Sequence, residues 1–279
     1  MRVVQISDTH LTAKGGVTNE NFLLLAEYVN DVLKPDLVIN TGDLVILSPD
    51  SDDDREFARV AHQQFDAPVR IVPGNHDVGM PGDQACMGII PTTERIAAYR
   101  NSFGTDRFVE LPDSTWALVG FNSELLSSGL AEEAEQWSWL EQVAKDVKGR
   151  CVAIFLHRPL WSPMPVTDHE LALSEVDRER ILAIFAESHL KLVASGRLHR
   201  DMRDQRGETL TISAPSSAFI VRGGSLGLNQ LGVVEYRIDG ESIEAFFRSV
   251  PSLVEDEPFA LSAFVETMAE IEDARAKST

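Results

Sequence analysis

Short apolar runs that end at acidic or imidazole side chains set the rhythm of the first two hundred residues. Val3-Val4-Gln5-Ile6 reads as a buried strand and leads into Ser7-Asp8-Thr9-His10. Residues 21–33 carry Phe22, Leu25, Val29 and Leu33 at helical spacing, and Pro35-Asp36 ends that helix. Leu37-Val38-Ile39 is the next buried run, followed by Thr41-Gly42-Asp43. Residues 52–65 predict a helix with Phe57, Val60, Ala61 and Phe65 on its inward face. Asp52, Asp53 and Asp54 form its first turn, where the helix dipole favours negative charge, and are expected to be solvated. A strand over 69–72 ends in Pro73-Gly74-Asn75-His76-Asp77, and residues 79–93, rich in Gly, Pro and Met, read as a loop.

The alternation continues with a helix over 94–103, a strand over 116–121 and a long amphipathic helix over 131–148 that turns Trp137, Leu140, Val143 and Val147 inward. Residues 151–156 form a buried run that stops at His157. Residues 174–187 predict a helix capped by Ser174, and the strand over 190–194 enters Ser195-Gly196-Arg197-Leu198-His199. Beyond this the period shortens to two: 209–213, 232–238 and 243–248 read as strands, the last two joined by an Asp239-Gly240 turn. Residues 257–274 predict a helix. The expected architecture is α/β: two mixed sheets packed as a sandwich with helices on both outer faces. Residues 1–250 form the main domain and 251–279 a peripheral C-terminal helix and tail.

Composition narrows the function. The net charge of −19 argues against a nucleic-acid polymer or an anionic membrane as partner, since both are gripped by Lys and Arg. An anionic substrate would need a local positive centre, and bound cations are the obvious source. Two cysteines, Cys86 and Cys151, are too few for a disulfide framework, and the early charge at Arg2 does not resemble a secretory leader; a cytoplasmic setting is expected. Oligomeric state is left open.

Metal-ligand residue types follow one strand after another: Asp8 and His10, Asp43, Asn75 and His76, His157, and His199. Any one is weak; an isolated Asp-x-His is usually a surface accident. Their recurrence at strand ends, where ligands gather in such sheets, is the signal. Oxygen and imidazole donors together suit Mn, Fe or Zn rather than Ca. His62 reads as exposed or half-buried on its helix, and His169 and Cys86 as structural. Trp161, Met164, Met80 and Met87 are candidates for an apolar cleft wall.

Asp8-Thr9-His10, Gly42-Asp43, Gly74-Asn75-His76-Asp77, His157 and the segment from Gly196 to His199 resemble the five motifs of the calcineurin-like metallophosphoesterases. Ala214-Pro215-Ser216, Phe121-Asn122-Ser123 and Gln136-Trp137 resemble their bacterial class III cyclic-nucleotide phosphodiesterase branch. The resemblance implies a first divalent ion held by Asp8, His10 and His199, a second by Asn75 and His157, and Asp43 bridging the two. It implies that His76 faces the substrate phosphate as the catalytic residue, with Asn75 also near the substrate. One or two ions (Mn, Fe or Zn) per chain would follow. The function implied is hydrolysis of a small phosphodiester, such as a 3′,5′-cyclic nucleotide, through a metal-bound hydroxide.

One position departs from the pattern. Where the family has Gly-His-x-His, this chain has Gly196-Arg197-Leu198-His199. A guanidinium has no lone pair for a metal. Three outcomes stay open: a weaker second ion, Arg197 gripping the phosphate as a substrate-binding donor, or a weakened site in a nucleotide- or phosphate-binding regulatory protein. The other motif positions are intact and favour an active enzyme.

Overall fold

The computed structural model describes residues 1–82, 88–162, 171–222 and 227–278. The predicted alternation builds a four-layer sandwich. The first sheet runs β11-β10-β1-β2-β3, with β1 (Arg2–Ile6), β2 (Leu37–Asn40) and β3 (Val69–Ile71) parallel, β10 (Gly232–Asp239) antiparallel to β1, and β11 (Ser242–Ser249) antiparallel to β10 in the closing hairpin. The second runs β4-β5-β6-β7-β9-β8. Its parallel centre is β5 (Trp116–Gly120), β6 (Cys151–Phe155), β7 (His189–Ser195) and β9 (Thr209–Ser213). β4 (Phe108–Glu110) and β8 (Met202–Arg206) are its antiparallel edges.

The strands are apolar on both faces because both are covered. Val3, Leu37 and Ile39 meet Trp116, Leu118, Ala153, Phe155 and Leu192 between the sheets. The alternate residues face helices. Val4 and Val38 pack under α1 (Val17–Tyr28), α2 (Asp52–Ala61) and α4 (Thr93–Phe103). Ala117, Val119, Val152 and Ile154 pack under α5 (Ala131–Asp146) and α6 (Glu175–Ile184). As predicted, Trp137, Leu140, Val143 and Val147 of the α5 segment are buried, and Ser174 Oγ caps α6 by accepting from Asp177 N.

Three expectations need correction. α1 begins at Val17, four residues early, and continues as a π-helical turn over Val29–Leu33. The inward face of α2 is set by Ala58 and Ala61, while Phe57 and Val60 are 37% and 48% exposed. Asp54 is not solvated: its carboxylate accepts from Thr12 Oγ1 (2.9 Å) and Ala13 N (2.7 Å), and this anchor sets the rotation of the helix. The C-terminal helix is α7 (Ser262–Ser278), preceded by a 3₁₀ turn over Pro258–Ala260. No helix among the described residues is long and apolar enough to cross a membrane.

Candidate metal centre

The loops that leave β1 and β2 are zipped together beyond the sheet. Asp8 N donates to Gly42 O (2.9 Å), His10 N to Asp43 O (3.0 Å) and Leu11 N to Leu44 O (2.7 Å), so the parallel pairing continues into the loops that carry the site. The β3 loop closes against them at two glycines. A Cβ on Gly42 would collide with the Gly74 backbone, and one on Gly74 with the Asp43 carboxylate. This close approach explains both glycines. The loop after β3 then becomes the single turn α3 (Asn75–Val78). Asp8, His10, Asp43, Arg197 and His199 all have left-handed backbones, with φ of 53, 44, 54, 67 and 55°. Such residues cost on the order of 1–3 kcal/mol each and persist where the surroundings over-determine them, typically at functional sites.

Asp8, His10, Asp43 and His199 form one group, with ligand atoms within 4.8 Å of one another and all four residues buried. His199 Nε2 lies 3.1 Å from Asp8 Oδ1 and 3.3 Å from His10 Nε2. On the other side of Asp43, His157 Nε2 is 3.4 Å from Asp43 Oδ2 and 3.1 Å from Asn75 Oδ1. His76 lies beside Asp43, with its ring edge-on to that of His10 at 4.8 Å. Its backbone N–H donates to Asp43 Oδ1 (2.8 Å) and its Nε2 lies 3.8 Å from Asp43 Oδ2. Arg197 is half-buried, and its Nη2 reaches Met80 Sδ at 3.9 Å. The structure thus gathers Asp8, His10, Asp43, Asn75, His76, His157 and His199 around one carboxylate. Arg197 follows the same β7 strand end two residues before His199.

Backbone carbonyls set the ring nitrogens. His10 Nδ1 and His76 Nδ1 both meet Ile46 O, at 3.2 and 2.9 Å, and His157 Nδ1 meets Thr41 O at 2.9 Å. Each carbonyl accepts an N–H and leaves Nε2 turned to the site, the arrangement that orients metal-binding histidines.

The donor set fits divalent cations. Both Asp8 carboxylate oxygens and Asp43 Oδ2 are buried with no hydrogen-bond partner among the described residues. Buried carboxylate oxygens are costly, and those here are approached by imidazole nitrogens, His199 Nε2 on Asp8 and His157 Nε2 on Asp43. Burial pushes the Asp8 and Asp43 carboxyls up, but neighbouring imidazoles outweigh it: His199 and His157 hold Asp8 low, and His157 and His76 hold Asp43 well below the carboxylate range. Burial and His76 bring His10 down to about 3, so its ring is a neutral donor. Burial also opposes charge on His157, yet Asp43, Asp8 and Glu124 push it up to about 9.

Two further residues, Asp77 and His62, brace the site through contacts other than those expected of them. Asp77 accepts from Leu44 N (2.9 Å), Val45 N (3.1 Å) and Gly74 N (2.8 Å), so it ties the β2 loop to the β3 loop and orients backbone rather than a ligand side chain. Burial and the Asp43 charge push its carboxyl up to about 7 against those donors. His62, expected at or near the surface, is buried: Nδ1 meets Ala58 O (2.7 Å) and Nε2 meets Asn40 Nδ2 (2.9 Å). Asn40 Oδ1 in turn accepts from Gly42 N (3.0 Å), beside Asp43. Of the residues considered for the cleft wall, Met80 is buried and Trp161 half-buried; Met87 and Met164, with His169 and Cys86, lie outside the described residues.

A family model for calcineurin-like phosphoesterases matches residues 1–201. The chain belongs to that family. A calcineurin-like phosphoesterase is a hydrolase of phosphoesters, and all five strand-end motifs fall inside the match. Among curated proteins, a probable glycerophosphodiester phosphodiesterase of Arcobacter nitrofigilis is 24% identical over 260 residues, covering 88% of each chain. A 3′,5′-cyclic-nucleotide phosphodiesterase of Nostoc sp. is 27% identical over 235 residues, covering 78% of each. Both are in keeping with the class III branch that the motifs indicate. Among solved structures, a dimetal phosphatase from Danio rerio superposes with a TM-score of 0.60 at 12% identity, covering 92% of this chain and 98% of that one, and supports the sandwich fold of this calcineurin-like phosphoesterase.

Proposed function

We propose that the protein hydrolyses a small phosphodiester, with 3′,5′-cyclic nucleotides as the leading class and glycerophosphodiesters next. The observation that carries this reading is the convergence of imidazole Nε2 atoms on buried carboxylate oxygens of Asp8 and Asp43. Asp8, His10 and His199 would hold one divalent ion and Asn75 and His157 a second, with Asp43 within reach of both; Mn, Fe or Zn suits these donors. Such cations would supply charge neutralisation for the phosphate and a more acidic water at neutral pH.

The residues of the chain do the rest. His157 Nε2–H donates to Asn75 Oδ1, and His157 would have to give up this proton to hold a cation, which would make binding pH-dependent. His76, with Nδ1 committed to Ile46 O, presents Nε2 to the substrate; protonated there, it hands its proton to the leaving alkoxide as the P–O bond breaks. Arg197 supplies a fixed positive charge beside the second position. Its Nε is buried without a hydrogen-bond partner among the described residues, which suits a donor awaiting a phosphate oxygen. With a net charge of −19, such a local cation matters for an anionic substrate. A small diffusible substrate and a cytoplasmic setting fit that charge better than a polymer or membrane does.

The test is turnover of cyclic nucleotides, glycerophosphodiesters and aryl phosphodiesters by folded protein loaded with Mn²⁺. No turnover of any of them would sink the enzyme reading. Arg197 in place of a ligand histidine favours a second reading, a regulatory protein that binds nucleotide or phosphate. It requires tight binding without hydrolysis, so metal-dependent turnover that is lost in His76→Ala excludes it.

A further inference from the structure

His199 is held differently from the other site histidines. His10, His76 and His157 each commit Nδ1 to a backbone carbonyl, whereas His199 Nδ1 is buried with no hydrogen-bond partner among the described residues. The ring is held on its Nε2 side, by Asp8 Oδ1 (3.1 Å) and His10 Nε2 (3.3 Å), but no polar group among the described residues fixes its plane from the Nδ1 side. An aromatic side chain does touch it. Phe219, 3% exposed, lies with its ring centroid 5.0 Å from that of His199 and 4.5 Å from that of His10, so the three rings close a triangle with the 5.1 Å His10–His199 contact.

Phe219 is itself anchored from two directions. Ser216 Oγ donates to Asp8 O (2.9 Å) and accepts from Ala218 N (3.0 Å), and Ser217 N donates to Ser7 O (3.2 Å), which clamps the segment to the β1 loop. From outside, Phe264 of α7 meets the Phe219 ring edge-on at 5.9 Å, within a buried cluster of Ile46, Leu47, Ala218, Leu261 and Ala263. Lys14 Nζ pins α7 in place through Thr267 Oγ1 (3.1 Å) and Glu270 (2.8 Å). Both phenylalanines lie beyond residue 201, where the family match ends.

We propose that Phe219, backed by Phe264, is a positioning residue that sets the plane of the His199 ring by packing, and that α7 is thereby part of the first metal position. The inference rests on the reading of His199 as a metal ligand. Aromatic packing substitutes for the hydrogen bond that usually orients such a ring, so its loss should weaken the metal as loss of that hydrogen bond does, by about tenfold or more.

The experiment measures Mn²⁺ affinity by equilibrium dialysis on the full chain carrying Asn75→Ala, so that the first position dominates the isotherm. Phe219→Ala and Phe264→Ala should each weaken binding by about tenfold. Phe264→Leu, which keeps apolar bulk behind Phe219, should restore most of it. Val265→Ala, a truncation of a 46% exposed residue on the same helix that does not pack against this cluster, should leave affinity unchanged. Far-UV circular dichroism and thermal melts establish that each variant is folded, and if Phe219→Ala does not fold, Phe264→Ala against Val265→Ala carries the comparison. Unchanged affinity in the folded phenylalanine variants, or equal weakening by Val265→Ala, overturns the proposal. A parent chain that binds no cation overturns the reading of His199 as a ligand, and the inference with it.

Discussion

The two groups on either side of Asp43 are built on different plans. The first has two imidazoles and a carboxylate from two strand ends, those of β1 and β7, all buried, with Phe219 packed against both rings. The second has one imidazole and one amide, His157 and Asn75, with Arg197 where the family motif has another imidazole. Carboxylate oxygens without partners are concentrated at the first group and on the shared Asp43. The difference teaches that the two groups differ in charge: the first collects carboxylate oxygens and imidazoles, whereas the second collects one imidazole and one amide, in a motif that also supplies a guanidinium.

The shared carboxylate is where the comparison breaks most completely. Asp43→Asn should empty both positions and lower turnover on the order of 10³-fold or more, since neither the ion pair nor the acidified water survives. Metal per chain and kcat are read together. Retention of one tightly held metal would show that the first group stands without Asp43 and that the two are independent. His76→Ala comes next, with a loss of about 10²- to 10⁴-fold in kcat and unchanged metal content, because a group that moves a proton is not a ligand. Loss of metal in that variant would recast His76 as part of the second group.

Beneath both groups lies the chain His62–Asn40–Gly42, and its effect is on stability. Burial lowers the His62 ring to about 4 from the ordinary 6.5, against the pull of Ala58 O. Above about pH 6.5 both folded and unfolded chains hold it neutral, and its full contribution is present. As pH falls from there toward 4, the unfolded chain takes up a proton that the folded one refuses. Stability therefore drops with pH over this window, by roughly 3 kcal/mol in all. Urea melts at pH 7.5 and pH 4.5 should show that the difference shrinks in His62→Gln; an identical difference in both chains would mean that His62 does not titrate with unfolding.

The contrast between the two groups was half legible in the sequence. Asp8, His10, Asp43, Asn75, His157 and His199 stand out because each follows a buried apolar run, and a strand end is a place that period and composition can find. Arg197 is visible as a misfit in its motif. What holds the ligands is not visible: Ile46 and Thr41 act through carbonyls that every residue possesses. The rotation of α2 escaped notice because Asp54 turns inward to bond the β1 loop, a contact that outweighs burial of Phe57 and Val60. β8 escaped because an edge strand exposed on both faces, as Met202–Arg206 is, needs no apolar alternation.

Arg197 gives the finest test of the comparison, because one substitution converts the second plan into the first. Arg197→His adds an imidazole to Asn75 and His157 and removes a charge that repels a cation. Mn²⁺ per chain at a fixed free concentration should rise, with the second affinity tightening by about tenfold, the scale on which even supporting partners act. If Arg197 also grips the phosphate, KM should rise in the same variant, and in Arg197→Ala, which adds no ligand, KM should rise without any gain in metal. The two variants separate the roles: tighter metal with unchanged KM makes Arg197 only a lost ligand, whereas a raised KM in both makes it a substrate contact. Equal metal content in wild type and Arg197→His would mean that Asp43, Asn75 and His157 already suffice, and the two positions would then differ in plan but not in strength.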